Sequence, residues 1–137
     1  MYHILCIIPA RSGSKGLPNK NIKLFKGHPL FTWSITQAKQ SKYVKHMRIV
    51  VSTDSKEYLG IAKKYGAEAP FLRPIEISGD LSTDYDFIKH TIDWYQDNSN
   101  YRPDIILQLR PTQPFISLNN LYKFLENNFI NRLIFKI

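Results

Sequence analysis

The residues best suited to chemistry lie in one polar segment near the N-terminus, residues 10–21. Its cations are Arg11, Lys15 and Lys20, and its glycines are Gly13 and Gly16. Glycine lets the backbone approach a ligand closely, and arginine and lysine attract phosphate oxygens. The segment therefore predicts a loop that binds a polyphosphate. Its spacing differs from the Walker A loop and from Gly-x-Gly-x-x-Gly, and composition alone leaves a solvated loop without a ligand as the alternative.

The charge balance is compatible with an anionic ligand but does not identify it. The chain has 137 residues with 19 Lys and Arg against 11 Asp and Glu, a formal net charge of +8. Such a balance attracts nucleotides, nucleic acids and anionic membranes alike. The basic residues are spread along the chain and form no known RNA-binding or DNA-binding motif, so a nucleic-acid-binding module is the weakest hypothesis and we expect no nucleic-acid partner.

The apolar content predicts a soluble folded domain. Hydrophobic residues make up 43% of the chain, enough for a sizeable core. The longest apolar runs, residues 4–8 and 105–107, are far shorter than the roughly 20 residues of a membrane span. No secretion signal precedes them, and the single cysteine, Cys6, excludes a disulfide framework. We expect a cytoplasmic protein that does not associate with membranes.

Strand and helix patterns alternate along the chain. Strands are predicted for residues 3–8, 48–51, 104–109 and 133–137, with a weaker edge strand at 69–72. Helices are predicted for residues 29–40, 56–65 and 117–128, and for a segment with Phe87, Ile88, Thr91, Ile92 and Tyr95 on one face. Pro29 is expected in the first turn of its helix, and Gly66 is expected to end the helix before it.

This alternation predicts a single α/β domain over residues 1–137, with a doubly wound, mostly parallel sheet. In such sheets, ligands bind at the carboxyl ends of the strands. Three loops leave those ends, at residues 9–26, 52–55 and 110–114. The cation-rich segment is part of the first loop, so the element order itself places it where a ligand is expected.

Several segments carry a family resemblance. Residues 7–21, Ile-Ile-Pro-Ala-Arg-Ser-Gly-Ser-Lys-Gly-Leu-Pro-Asn-Lys-Asn, resemble the N-terminal signature of the CMP-sialic acid synthetases, also called acylneuraminate cytidylyltransferases. Residues 51–54 and 65–67, and Arg73-Pro74 followed by Glu76 and Asp80, agree with the family in order and spacing. Residues 107–114 are similar to its Leu-Gln-Pro-Thr-Ser-Pro motif, with Arg110 in place of Gln and Gln113 in place of Ser.

The resemblance implies a Rossmann-like nucleotidyltransferase that activates a nine-carbon acidic sugar with CTP and releases pyrophosphate. It implies CTP and the sugar as partners, and Arg11, Lys15 and Lys20 as catalytic cations. Nucleotide-binding positions implied by the match are Arg11, Ser14, Lys15, Lys20, Asn21 and Arg73. Sugar-side positions are Gln108, Arg110 and Thr112.

The resemblance also implies magnesium and a homodimer, and it covers only the N-terminal part of the family domain. The aspartate pair that binds magnesium and the insertion that joins two subunits come later in the family than Ile137. We therefore expect a domain truncated at its C-terminus, with unknown metal ligands, little turnover by this chain alone and a weakened basis for dimerisation. The alternatives are a 3-deoxy-manno-octulosonate cytidylyltransferase, whose loop usually reads Ser-Thr-Arg-Leu-Pro, and a non-catalytic nucleotide-binding fragment.

Overall fold

The computed structural model describes residues 3–13, 18–111 and 133–136, the last segment as backbone only. Its strands are β1 (Ile4–Pro9), β2 (Leu24–Phe25), β3 (His28–Pro29), β4 (Met47–Ser52), β5 (Ile105–Gln108) and β6 (Leu133–Lys136). Its α-helices are α1 (Thr32–Lys39), α2 (Lys56–Lys64) and α3 (Asp84–Ser99). Short 3-10 turns lie at Lys20–Ile22, Val44–His46 and Ile75–Ile77.

Four strands form one parallel sheet in the order β4-β1-β5-β6. The register places Ile4 of β1 opposite Met47 of β4 and Ile105 of β5. β1 is therefore flanked on both sides, and its residues from Ile4 to Ile8 are at most 1% exposed. A continuous apolar run is what a strand covered on both faces requires, and the predicted parallel sheet is confirmed.

Helices cover both faces of the sheet, as a doubly wound fold requires. Cys6 and Ile8 of β1 belong to the core cluster that includes residues of α1 and α2. Leu5 and Ile7 belong to the cluster on the opposite face, with residues of α3. The alternation follows from the two-residue period of a strand. Burial of each large aliphatic side chain contributes about 1.5–3 kcal/mol, so the two clusters hold the helices against the sheet.

The two longest helices begin at caps that the sequence supplies. Ser55 accepts a hydrogen bond from the Tyr58 amide (3.3 Å) at the start of α2. Thr83 and Asp86 form a reciprocal capping box at the start of α3. Gly66, with φ of 91°, follows the end of α2 as predicted. Within the described ranges, no helix combines the length and apolarity needed to cross a bilayer.

A hairpin replaces the predicted beginning of the first helix. Pro29 lies in β3, paired with Leu24 of β2, and not in a helical turn. Lys26 and Gly27 have φ of 49° and 84°, the left-handed values of a tight hairpin turn, so the chain folds back before α1 begins. The predicted start at residue 29 is therefore three residues early.

The predicted strand at residues 69–72 is wrong. The parallel contact falls one residue earlier and is a single bridge, in which Glu68 donates to the Ile49 carbonyl (2.7 Å) and accepts from the Val51 amide (2.9 Å). Pro70 has no amide proton, so the ladder cannot continue past it. Backbone pairing confirms the strand that begins at Leu133, whereas the helix predicted for residues 117–128 lies outside the described residues.

Candidate functional site

A cavity of about 310 Å³ opens at the carboxyl ends of β1 and β5. It brings together six residues that the sequence singled out from three separate segments: Arg11, Lys20, Asn21, Arg73, Gln108 and Arg110. The rest of its lining consists of Pro9, Gly79, Asp80, Ser82, Thr83, Asp84, Phe87 and Pro111. Ser14, Lys15 and Thr112, which were also predicted, lie outside the described residues. The cavity therefore lies at the edge of the sheet where a ligand site was predicted.

The base of the cation-rich loop is fixed at both ends. Ser12 donates from its backbone nitrogen to Asp54 Oδ1 (2.8 Å) and from its hydroxyl to Oδ2 (3.1 Å). The Asn19 amide then donates to the Ser12 carbonyl (3.1 Å), and the Tyr58 hydroxyl donates to Asn19 Oδ1 (3.0 Å). These contacts join the loop to the end of β4 and to α2, so the geometry of the loop depends on residues about 40 positions away.

Asn21 is a buried link within this loop. Its side-chain Nδ2 donates to the Arg11 carbonyl (2.9 Å), and its own carbonyl accepts from the Phe31 amide (2.9 Å). The side chain therefore positions the backbone that carries Arg11. Its predicted contact with the nucleotide stays a prediction.

Arg73 is the most buried cation of the cavity, with 5% exposure. Its guanidinium donates to Ser52 Oγ (3.0 Å) and the Ser52 carbonyl (2.7 Å), and its Cζ lies 4.9 Å from the centre of the Phe87 ring. Burial lowers the pKa of Arg73 to about 10, an effect that the nearby Asp54 charge opposes and the Arg11 charge reinforces. The side chain still carries a charge at neutral pH, with two neutral oxygens as its hydrogen-bond acceptors.

The other two arginines of the cavity have acidic partners. Arg11 contacts Asp80 (2.8 Å), and Arg110 contacts Asp84 (2.5 Å). Both pairs are partly exposed, and pairs of this kind contribute little to stability. Overall, four basic and two acidic side chains line the cavity, an electrostatic balance that favours an anion.

Gln108 forms part of the inner wall from its position on β5. Its exposure is 0%, and neither its Oε1 nor its Nε2 has a hydrogen-bond partner in the described part of the chain. A buried carboxamide normally pairs with another polar group, so this side chain is an exception within an otherwise well-paired site.

The described carboxylates do not assemble a magnesium site by themselves. Within residues 3–13 and 18–111, no three His, Cys, Asp or Glu side chains lie close enough to hold an ion together. The two carboxylates of the cavity, Asp80 and Asp84, each contact an arginine instead. The magnesium requirement stays a prediction.

Sequence reasoning missed the wall formed by residues 79–87. Asp80 belongs to the family spacing described above, and Asp84 is the first residue of α3. Neither was assigned an arginine as partner. Phe87 was assigned to a helix face and not to a ligand site. The one local signal was the capping residue Thr83, which places the start of α3 at the cavity.

Comparison with known proteins identifies the family. Residues 5–132 match the cytidylyltransferase family. The N-acylneuraminate cytidylyltransferase of Escherichia coli O18:K1:H7 is 40% identical over 129 residues, covering 90% of this chain and 29% of that protein. The CMP-N,N'-diacetyllegionaminic acid synthase of Legionella pneumophila is 44% identical over 117 residues, covering 82% of this chain and 47% of the relative. The pseudaminic acid cytidylyltransferase of Campylobacter jejuni is 39% identical over 127 residues, covering 90% of this chain and 53% of the relative.

Solved structures agree on the fold. A CMP:2-keto-3-deoxy-manno-octonic acid synthetase complexed with CTP superposes with a TM-score of 0.71 at 22% identity, covering 90% of this chain and 46% of that one. A cytidylyltransferase from Leptospira borgpetersenii superposes with a TM-score of 0.66 at 26% identity, covering 94% of this chain and 51% of that one. The fold of this chain is thus the one that these structures share. This chain belongs to the cytidylyltransferase family, and it spans about half or less of the length of these relatives.

Proposed function

We propose that this chain is the CTP-binding part of a cytidylyltransferase that activates a nine-carbon acidic sugar. The observation that carries the proposal is the meeting of Arg11, Lys20, Asn21, Arg73 and Arg110 around one cavity at the carboxyl edge of the sheet. Relatives named for N-acylneuraminate, diacetyllegionaminic acid and pseudaminic acid support the sugar class at 39–44% identity. The octonic acid synthetase, at 22% identity, supports the alternative sugar less strongly.

The cations of the cavity suit different parts of the two substrates, according to their burial and position. Arg11 and Lys20 stand on the loop after β1 and suit the negatively charged triphosphate. Arg73 lies deeper, beside Phe87, and suits a polar group that is removed from water. Arg110 follows β5 and suits the carboxylate of the sugar. Ser14, Lys15 and Thr112 belong to the same proposal through the family match.

The proposed reaction forms one bond and breaks another at the α-phosphorus. The anomeric hydroxyl oxygen of the sugar bonds to this phosphorus, and the bond from phosphorus to the β-phosphate oxygen breaks. The hydroxyl proton passes to solvent or a base, and pyrophosphate leaves with the electron pair. Negative charge grows on the phosphoryl oxygens, so fixed cations such as Arg11 and Lys20 stabilise the transition state. A magnesium ion, a homodimer and a cytoplasmic location are further parts of the proposal.

Calorimetric titration with CTP tests the binding step. Arg11→Ala should weaken CTP binding by about 1.5–3 kcal/mol, the range for a hydrogen bond to a charged group. Arg102→Ala is the matched control, because Arg102 is exposed and does not line the cavity. Equal affinities of the wild type and Arg11→Ala would contradict the assignment of the loop.

A competition among four nucleotides tests whether the site reads a base. CTP should displace ATP and GTP at one salt concentration, because a pocket that hydrogen-bonds one base leaves buried polar groups unpaired with another. A repeat with magnesium chloride added tests the metal requirement. Equal competition by all four nucleotides would reduce the cavity to a general anion site.

A further inference from the structure

Gln108 combines full burial with unsatisfied hydrogen-bonding capacity. Its residue exposure is 0%, yet Oε1 and Nε2 both lack partners in the described part of the chain. Ser34 Oγ and His90 Nδ1 share this property among the described side chains, but neither residue lines the cavity. An unpaired buried carboxamide opposes folding. At the wall of a binding site, this loss is recovered when a ligand supplies the missing partners.

The position of Gln108 on β5 places it on the face of the sheet that α3 covers. Ile106, two residues earlier, packs in the core cluster on the α3 side, so Gln108 shares that face. Phe87 of α3 lines the same cavity, and Arg73 lies over its ring. Gln108 is therefore on the side of the buried arginine and the aromatic ring. A flat ligand group would meet apolar and polar surfaces together there.

The charged neighbours already have partners of their own. Arg11 contacts Asp80, Arg110 contacts Asp84, and Arg73 donates to Ser52. A phosphate or carboxylate supplies acceptors only, so it would satisfy Nε2 and leave Oε1 unpaired. The edge of a nucleobase presents a donor and an acceptor side by side, and the 4-amino group and ring nitrogen of cytosine are such a pair. A base edge thus satisfies both atoms of the carboxamide at once.

We propose that Gln108 is a base-binding residue that pairs through both carboxamide atoms with the base edge of the bound nucleotide. The assignment rests on the proposed CTP function, and it moves Gln108 from the sugar side of the site to the base side. Because a carboxamide can turn over, Gln108 accepts cytosine and uracil alike. Its contribution is to distinguish a nucleotide with a base from a bare polyphosphate.

Two ligands and two variants test the assignment. CTP and inorganic triphosphate are titrated into the wild type, Gln108→Met and Gln108→Leu, with Gln40→Leu as a control at an exposed position outside the cavity. Both Gln108 variants should bind CTP about tenfold more weakly, the size expected for lost neutral hydrogen bonds. Their affinity for triphosphate should match that of the wild type. Both should also resist urea at least as well, since an unpaired buried amide has been removed.

The outcomes separate this assignment from the proposed function. Absence of CTP binding by the wild type would overturn both. Unchanged CTP affinity in the Gln108 variants would overturn the Gln108 assignment alone and direct attention to the second substrate. An equal loss for CTP and triphosphate would also overturn it, because it would indicate a distorted loop. Lower resistance to urea in both variants would also overturn the Gln108 assignment, because it would indicate that Gln108 stabilises the fold.

Discussion

Two arginines of this chain lie over aromatic rings at opposite ends of the sheet, in different electrostatic surroundings. Arg48, at the amino end of β4, has its Cζ 5.1 Å and 5.0 Å from the ring centres of Tyr95 and Tyr101 and contacts Glu68 at 3.1 Å. Arg73, at the carboxyl end, has its Cζ 4.9 Å from the Phe87 ring, but its hydrogen-bond acceptors are oxygens of Ser52.

The two arginines also differ in how far they are buried. The Arg48 side chain is 40% exposed, whereas Arg73 as a residue is only 5% exposed. Burial lowers the pKa of Arg73 to about 10. A paired, half-exposed arginine joins structural elements, while a buried arginine with neutral acceptors retains attraction for an anionic or polar ligand. Stacking on a ring is therefore common to both arginines, and their burial and hydrogen-bond acceptors distinguish them.

Of the two arginines compared, Arg73 should give the larger effect when it is replaced. Arg73→Met should weaken CTP binding by about 2 kcal/mol, roughly 30-fold, because a charged donor is lost. The free energy of unfolding should change by less than about 1 kcal/mol, since loss of the ring contact is offset by removal of a desolvated charge. The Ser52 carbonyl keeps a hydrogen bond from the Ala10 amide (2.9 Å). Calorimetry measures the CTP affinity, and urea unfolding measures the free energy of unfolding. Unchanged affinity with a lower free energy of unfolding would show that Arg73 is a structural residue and not a binding residue.

The opposite arginine should affect stability and not binding. Arg48→Met removes an exposed ion pair and two ring contacts, so the free energy of unfolding should fall by about 1 kcal/mol. CTP affinity should be unchanged, because Arg48 does not line the cavity. Urea unfolding beside Arg102→Met as a surface control measures the change. A CTP affinity that falls with Arg48→Met would show that the two ends of the sheet are coupled.

A smaller effect should follow from freeing the loop arginine of its carboxylate. Asp80→Asn should strengthen CTP binding two- to fivefold, about 0.5–1 kcal/mol, because Asp80 competes with phosphate for Arg11. Asp93→Asn is the matched control, since Asp93 pairs with Lys89 on the exposed face of α3. Weaker CTP binding by Asp80→Asn would instead make Asp80 part of the ligand contact.

The smallest expected effect is a change in the pKa of His90, which responds to the charge of Arg73. Burial, and then the Arg73 charge, lower the pKa of His90 below its ordinary 6.5. The stability that this shift contributes is present above pH 6.5 and is lost as pH falls through the lowered value. Arg73→Met should move the His90 pKa upward, and Arg48→Met should leave it unchanged, as followed by NMR of the imidazole protons. No movement in either variant would mean that burial alone sets the shift.

Local patterns predicted the elements whose signals lie within one segment. The apolar run of β1 and the periodicity of α3 each reflect burial of a single continuous surface. The hairpin of β2 and β3 was not predicted, because a strand of two residues is too short to show an alternation of apolar and polar side chains. Its one signal was the Lys26-Gly27 turn, whose positive φ values suit a hairpin.

The sequence by itself determined the cation-rich loop, the parallel sheet and the edge at which the loop stands, because composition and periodicity are properties of neighbouring residues. Only the tertiary structure decided which charges meet. Asp84 reaches Arg110 across 26 positions, and Ser52 reaches Arg73 across 21. It also left the Gln108 carboxamide without a hydrogen-bond partner among the residues that the structure describes. These pairings depend on how α3 and the segment before it pack over the strand ends, and distances between separated segments exist only once the core has formed.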